Sequence, residues 1–367
     1  MDRPVATSET EPASVPRRRS RDWAIGLALS LATIVLCVAV AELTGYLWER
    51  DTAQGPLGWT LVASRRLQLE PKGSADHPYY LLQPNRRYEW EGIPVEINSR
   101  GLRGDEFEVP KPPDLYRALN IGDSVAFGWE VTQEETYGER LGATLNARDD
   151  GTTYEVINAA MPGWTLESAR NFLVEEGLSY EPDTIILEVT VVNDIYGQVP
   201  SDAGRLPLVT WLRDRTYAWP FLTTQARFLL ARQRGPEAIP VLNPPREASA
   251  YFPLEVDSPR WDAFWQPIAD VHQLCKEQDI RLVVLVFPTA FQVGPEQHPD
   301  VPQRVLRARA EAAGIELVDL LPIYADTCRA APQGACDGYE NLLFADVWMH
   351  PNALGHQLAA DALELDR

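Results

Sequence analysis

The run Tyr116-Arg-Ala-Leu-Asn-Ile121 leads directly into Gly122-Asp-Ser-Val-Ala-Phe-Gly128. An apolar strand stops at a glycine and a serine stands where the next helix opens. Outward from it the pattern repeats, with strands expected at Tyr154–Asn158, Thr184–Thr190, Arg281–Phe287 and Glu316–Leu320. Between them the helical period appears at Glu135–Asn146, Leu166–Glu176, Arg260–Glu277 and Val301–Ala312, with a last helix from about Ala353 to Leu365. Thr184-Ile-Ile-Leu-Glu-Val-Thr190 is nearly continuous in apolar residues, as a strand covered on both faces requires. The expected fold is therefore α/β, a three-layer α/β/α sandwich around a parallel, flavodoxin-like sheet of about five strands. Its ligand crevice lies beyond the carboxyl ends of those strands.

Ahead of this domain, residues 49–114 read as a β-rich lead-in and linker, with strand-like runs at Tyr79–Leu82, Tyr88–Trp90 and Val95–Ile97 and a stiff stretch at Pro110, Pro112 and Pro113. The α/β domain spans residues 115–367, with an insertion at about 197–259 that is too long for an ordinary loop. The insertion carries Trp211, Tyr217, Trp219, Phe221, Phe228, Tyr251 and Phe252, which suit a lid, a core of its own or a membrane-surface contact.

Residues Ala24–Ala41 hold no charge, and the apolar character resumes after Glu42 as Leu43-Thr-Gly-Tyr-Leu-Trp48. Residues 23–48 are thus long enough for a transmembrane anchor, at about 1.5 Å per helical residue. Arg17, Arg18, Arg19 and Arg21 precede the span and only Arg50 closely follows, so residues 1–22 are expected as a disordered cytoplasmic tail. Ala39-Val-Ala41 also has the form of a signal-peptide cleavage site. Retained or removed, the segment sends the remainder out of the cytoplasm. The expected localisation is the cell membrane, single-pass, with the catalytic domain periplasmic or extracellular.

With 33 Lys+Arg against 53 Asp+Glu, the formal net charge is -20, which repels phosphate backbones and argues against a nucleic-acid partner. Four cysteines are too few for a disulfide scaffold. Cys328 and Cys336 are near enough in sequence to bridge in an oxidising compartment, or else are two buried thiols.

Ser124, at the end of the first parallel strand, can present a nucleophilic hydroxyl in the crevice. Ala126 stands where the G-x-S-x-G elbow needs glycine, so the α/β-hydrolase pattern is disfavoured. Asn193, with Asp194, follows the third apolar strand, and its side-chain amide can serve an oxyanion. Gly163, in Asn158-Ala-Ala-Met-Pro-Gly-Trp164, offers a backbone N–H near the same crevice. In Asp346-Val-Trp-Met-His-Pro-Asn352, His350 suits a general base and Asp346 the group that fixes its tautomer. His356 is expected to pack or cap in the last helix. No metal or other cofactor is expected, since nothing else clusters with the two histidines at usable spacing.

These blocks, in this order, resemble the SGNH (GDSL-type) hydrolases over about residues 115–366, and Ile97-Asn-Ser-Arg-Gly-Leu-Arg-Gly104 looks like the lead-in of membrane-anchored bacterial members. The resemblance implies Ser124 as nucleophile, His350 as base, Asp346 as its partner, and an oxyanion hole from Ser124 N–H, Gly163 N–H and the Asn193 amide. Two positions depart from the family's pattern. Val191 replaces a glycine two residues before the Asn, and Asp346 and His350 are spaced by four where the family has three. The function implied is an extracytoplasmic serine esterase acting on acyl or acetyl esters of surface glycans or lipids. An O-acyltransferase on surface polysaccharide would use the same acyl-enzyme, and a silent glycan-binding protein would be consistent with the two departures.

Overall fold

The computed structural model describes residues 18–52, 69–90, 92–191, positions 212, 215–219 and 221–223, and residues 256–258, 260–293, 300–337, 341–346 and 349–365. Helix α1 (Arg18–Thr52) comes first. It starts within the expected tail, because Arg18, Arg19 and Arg21 extend the helix rather than break it. Within it, Ile25–Leu47 is long and apolar enough to cross a membrane, and Leu27, Leu29, Leu31, Ile34, Val35, Leu36, Val38 and Val40 are all exposed on the isolated chain. Such a surface marks the helix as a candidate membrane anchor or signal sequence. Near its end, Tyr217 N–H donates to Glu42 Oε2 at 2.6 Å and the Tyr46 and Tyr217 rings meet edge to face at 5.4 Å.

Two antiparallel hairpins follow. One joins β1 (Leu69–Lys72) to β2 (Tyr79–Leu82), and the other β3 (Arg86–Trp90) to β4 (Ile93–Ile97). Leu81, Leu82, Val95 and Ile97 are buried in the core that the rest of the chain builds, so the hairpins pack on the main domain.

That domain is a five-stranded parallel sheet in the order β6-β5-β7-β8-β9, formed by β5 (Leu115–Ile121), β6 (Thr153–Asn158), β7 (Thr184–Thr190), β8 (Arg281–Phe287) and β9 (Glu316–Asp319). Every residue of β7 is buried, as its composition requires. Helices α2 (Ser124–Phe127), α3 (Tyr137–Asn146), α4 (Leu166–Glu175), α5 (Arg260–Glu277), α6 (Ala290–Val293), α7 (Val301–Ala313), α8 (Leu321–Ala330) and α9 (Ala353–Ala362) complete the α/β arrangement. From β5 the chain moves to one neighbour, β6, and then crosses to the other, β7. The crevice of a doubly wound sheet opens at that switch point, between β5 and β7. Cys328 and Cys336 are disulfide-bonded, with Cα atoms 5.9 Å apart.

Candidate active site

Ser124 is the first residue of α2, directly after β5 and Gly122-Asp123. The Asp123 carboxylate caps this short helix by accepting the Val125 N–H at 2.7 Å, and Asp123 N–H donates to Glu188 Oε2 at 3.0 Å. Glu188 projects from β7 and is only 1% exposed; its other oxygen accepts the Thr190 hydroxyl at 2.5 Å. Gly122 is required here, because a Cβ would collide with the Glu188 carboxylate. At its other end, α2 ends in Gly128 with φ 81°. The Ala126 carbonyl accepts from the Asn120 and Asn158 amides, and Asn158 also reaches Phe127 O at 3.2 Å.

His350 arrives from the loop before α9. Its Nε2 lies 2.9 Å from Ser124 Oγ, and its Nδ1 lies 2.5 Å from Asp346 Oδ2. The four-residue spacing is absorbed locally, since Asp346 Oδ1 accepts the backbone N–H groups of Met349 at 2.9 Å and His350 at 3.1 Å. Asn352 then caps α9 through the N–H groups of Leu354 and Gly355 and ties the loop to the carbonyls of Asn341 and Leu342. Burial works to lower the proton affinity of His350, but the Asp346 charge and hydrogen bond outweigh it. With Glu130 and Asp123 adding to them, the net direction is upward. A serine hydroxyl against a buried imidazole held by a carboxylate can lose its proton as it attacks a carbonyl.

The loop after β6 is bonded to the nucleophile turn, with Ala159 N–H on Asn120 O at 2.8 Å and Met161 N–H on Gly122 O at 3.1 Å. It brings Gly163, at φ +80°, to the same end of the sheet. Asn193 and Asp194 lie outside the described residues; Val191 is described and buried. His356 is buried in α9, stacked on Tyr137 at 5.8 Å and accepting the Tyr137 N–H on Nδ1, away from the chemistry. Among the described residues, no three His, Cys, Asp or Glu side chains gather in a way that could hold a metal ion.

Residues 121–358 match the GDSL-like Lipase/Acylhydrolase family. The chain belongs to that family. This GDSL hydrolase is thus an enzyme of the serine type acting on ester bonds. Solved structures resemble it only loosely, at low identity and TM-scores below 0.5. A two-domain esterase active on acetylated mannans, co-crystallised with mannopentaose, is 13% identical with a TM-score of 0.42, covering 68% of this chain and 47% of its own. The GDSL hydrolase therefore spans under half the length of that relative. An acetyl xylan esterase is 17% identical with a TM-score of 0.42, covering 67% and 96%. A catalytic mutant of an acetylxylan esterase from Geobacillus stearothermophilus is 15% identical with a TM-score of 0.40, covering 67% and 91%. No curated protein matches the sequence.

Three polar residues around the GDSL site were not singled out from the sequence. Glu188 had a visible signal, a lone acid within an apolar strand. Arg103 stands within the Ile97–Gly104 block, which gave no sign of what it binds, and Tyr80 had no signal, because each acts on chain distant from its own position.

Proposed function

We propose that this GDSL hydrolase is an extracytoplasmic serine esterase that removes acyl or acetyl groups from glycans or lipids of the cell surface. The observation that carries this reading is the chain from Ser124 Oγ through the His350 ring to Asp346 Oδ2, at 2.9 and 2.5 Å. In the reaction, Ser124 Oγ attacks the ester carbonyl carbon while His350 Nε2 takes its proton. The carbonyl π electrons move to oxygen, and that oxyanion is held by the N–H groups of Ser124 and Gly163 and by the Asn193 amide, each donor contributing a factor of about 100 to 1,000. Collapse expels the alcohol, which receives the proton from His350 and leaves an acyl-Ser124 ester. Water, deprotonated by the same imidazole, then attacks that ester; the acyl–Oγ bond breaks, Ser124 Oγ takes the proton back from His350, and the carboxylic acid is released. Asp346 stays ionised throughout and stabilises the imidazolium.

The extracytoplasmic setting rests on the apolar Ile25–Leu47 and on the arginines before it. Residues 115–367 form the hydrolase domain in this reading, with the insertion at about 197–259. The test uses the full chain in detergent, recording fluorophosphonate labelling and turnover of short p-nitrophenyl esters and acetylated glycans. Ser124→Ala and His350→Ala are each expected to lose activity by about 10,000-fold or more. Undiminished turnover by Ser124→Ala would retire the reading.

A further inference from the structure

Residues Met161-Pro-Gly-Trp164 close a β-turn in which Trp164 N–H donates to Met161 O at 3.1 Å. Proline at its second position and Gly163 at φ +80° at its third are the marks of a type II turn. Type I and type II turns differ by a half-rotation of the central peptide, here Pro162–Gly163. The peptide is planar and trans, so its C=O and N–H point to opposite sides. The orientation of the Pro162 carbonyl therefore dictates where the Gly163 N–H is aimed.

That carbonyl has a partner from far away in sequence. Tyr80, on the lead-in strand β2, donates its hydroxyl proton to Pro162 O at 2.8 Å across 82 residues. Its own main chain is fixed as well, since Trp164 Nε1–H donates to Tyr80 O at 3.0 Å. The two rings meet edge to face at 6.4 Å. Burial and then the Asp123 charge hold the phenol protonated, so it stays a donor across the working pH range. A Cβ on Gly163 would sit 3.0 Å from the Tyr80 oxygen, so the hydroxyl also closes off that side of the turn.

We infer that Tyr80 is a positioning residue for catalysis, locking the Pro162–Gly163 peptide in the orientation that aims the Gly163 N–H at the oxyanion; this rests on the serine esterase reading above. The β-rich lead-in is then part of the catalytic apparatus and not only a spacer. A hydrogen bond accepted by Pro162 O also polarises the same amide, which strengthens its N–H as a donor.

The experiment compares Tyr80→Phe with Tyr79→Phe in the full chain. Tyr79 is the neighbouring tie between the same hairpin and the end of α4, donating its hydroxyl to Glu176 Oε2 at 2.9 Å; its ring meets Trp164 edge to face at 6.1 Å, and Tyr79→Phe keeps that ring contact while removing only a hydroxyl bonded away from Pro162 O. Tyr80→Phe is expected to lower kcat by about 10-fold or more with KM changed less than about twofold, because the donor acts only on the transition state. Tyr79→Phe is expected to keep wild-type kcat. Equal losses of kcat in both variants, or no loss in Tyr80→Phe, would overturn the inference. Ser124→Ala run alongside separates the two failures: an inactive Ser124→Ala beside a fully active Tyr80→Phe removes the positioning role and leaves the esterase reading standing.

Discussion

At His350 the sign of the proton affinity is decided by competition. Burial alone would keep the ring neutral, yet the Asp346 carboxylate at 2.5 Å reverses the direction and raises it. A raised folded-state value means that His350 contributes stability below the ordinary histidine range and loses it as pH rises through the raised value. In the proposed mechanism activity runs the other way, because only the neutral ring can accept the Ser124 proton. The acidic limb of kcat/KM should therefore lie above the ordinary histidine range. Asp346→Asn should move that limb to lower pH while cutting kcat by about 100-fold or more. A limb that stays in place in Asp346→Asn would uncouple the carboxylate from the base.

Helix α2 is one turn long, too short to hold itself, and its order is imposed from outside. Arg103, 2% exposed, donates to the carbonyls of Phe127 at 2.9 Å, Gly128 at 2.5 Å and Val131 at 2.8 Å, and its guanidinium lies 5.2 Å from the Phe127 ring. Burial pulls its pKa down to about 10, which still leaves it charged at neutral pH. Arg103→Ala would remove three hydrogen bonds, with only Phe127 O and Gly128 O keeping other donors, and a loss of about 3 kcal/mol in urea unfolding is expected. Arg103→Lys, a point donor without the fork, should recover only part of it.

Much of this architecture was legible from the sequence. Thr184–Thr190, Arg260–Glu277 and Arg281–Phe287 match their expected bounds, since buried strands and amphipathic helices write their period directly into sequence. Strand β1, Leu-Glu-Pro-Lys, shows no alternation, and α8 begins at Leu321-Pro322 with no side-chain cap, so neither carried a signal. Around the site, Ser124 and His350 stand in motifs and Glu188 shows as a lone acid in an apolar strand, whereas the targets of Tyr80 and Arg103 lie 82 and 24 residues away, where no local pattern can reveal them.

Across the whole molecule, acid acts through a second histidine. His356 is fully buried, and burial, followed by the charges of Arg103, Arg140 and His350, depresses it to about 3. Between the ordinary histidine value of roughly 6.5 and about 3, the unfolded chain binds a proton that the fold excludes. Stability therefore falls as pH drops through that window. The urea midpoint of the wild-type protein should decline from pH 7 to pH 4.5, and His356→Gln should show a shallower decline over the same range. Parallel declines in the two proteins would place the acid sensitivity elsewhere.

The lead-in ahead of the sheet sends Arg103, from the loop after β4, behind α2 and Tyr80, from β2, onto the Pro162 carbonyl. The five strands are accordingly not a portable cassette. A graft that begins at Leu115 would carry the sheet without its scaffolding.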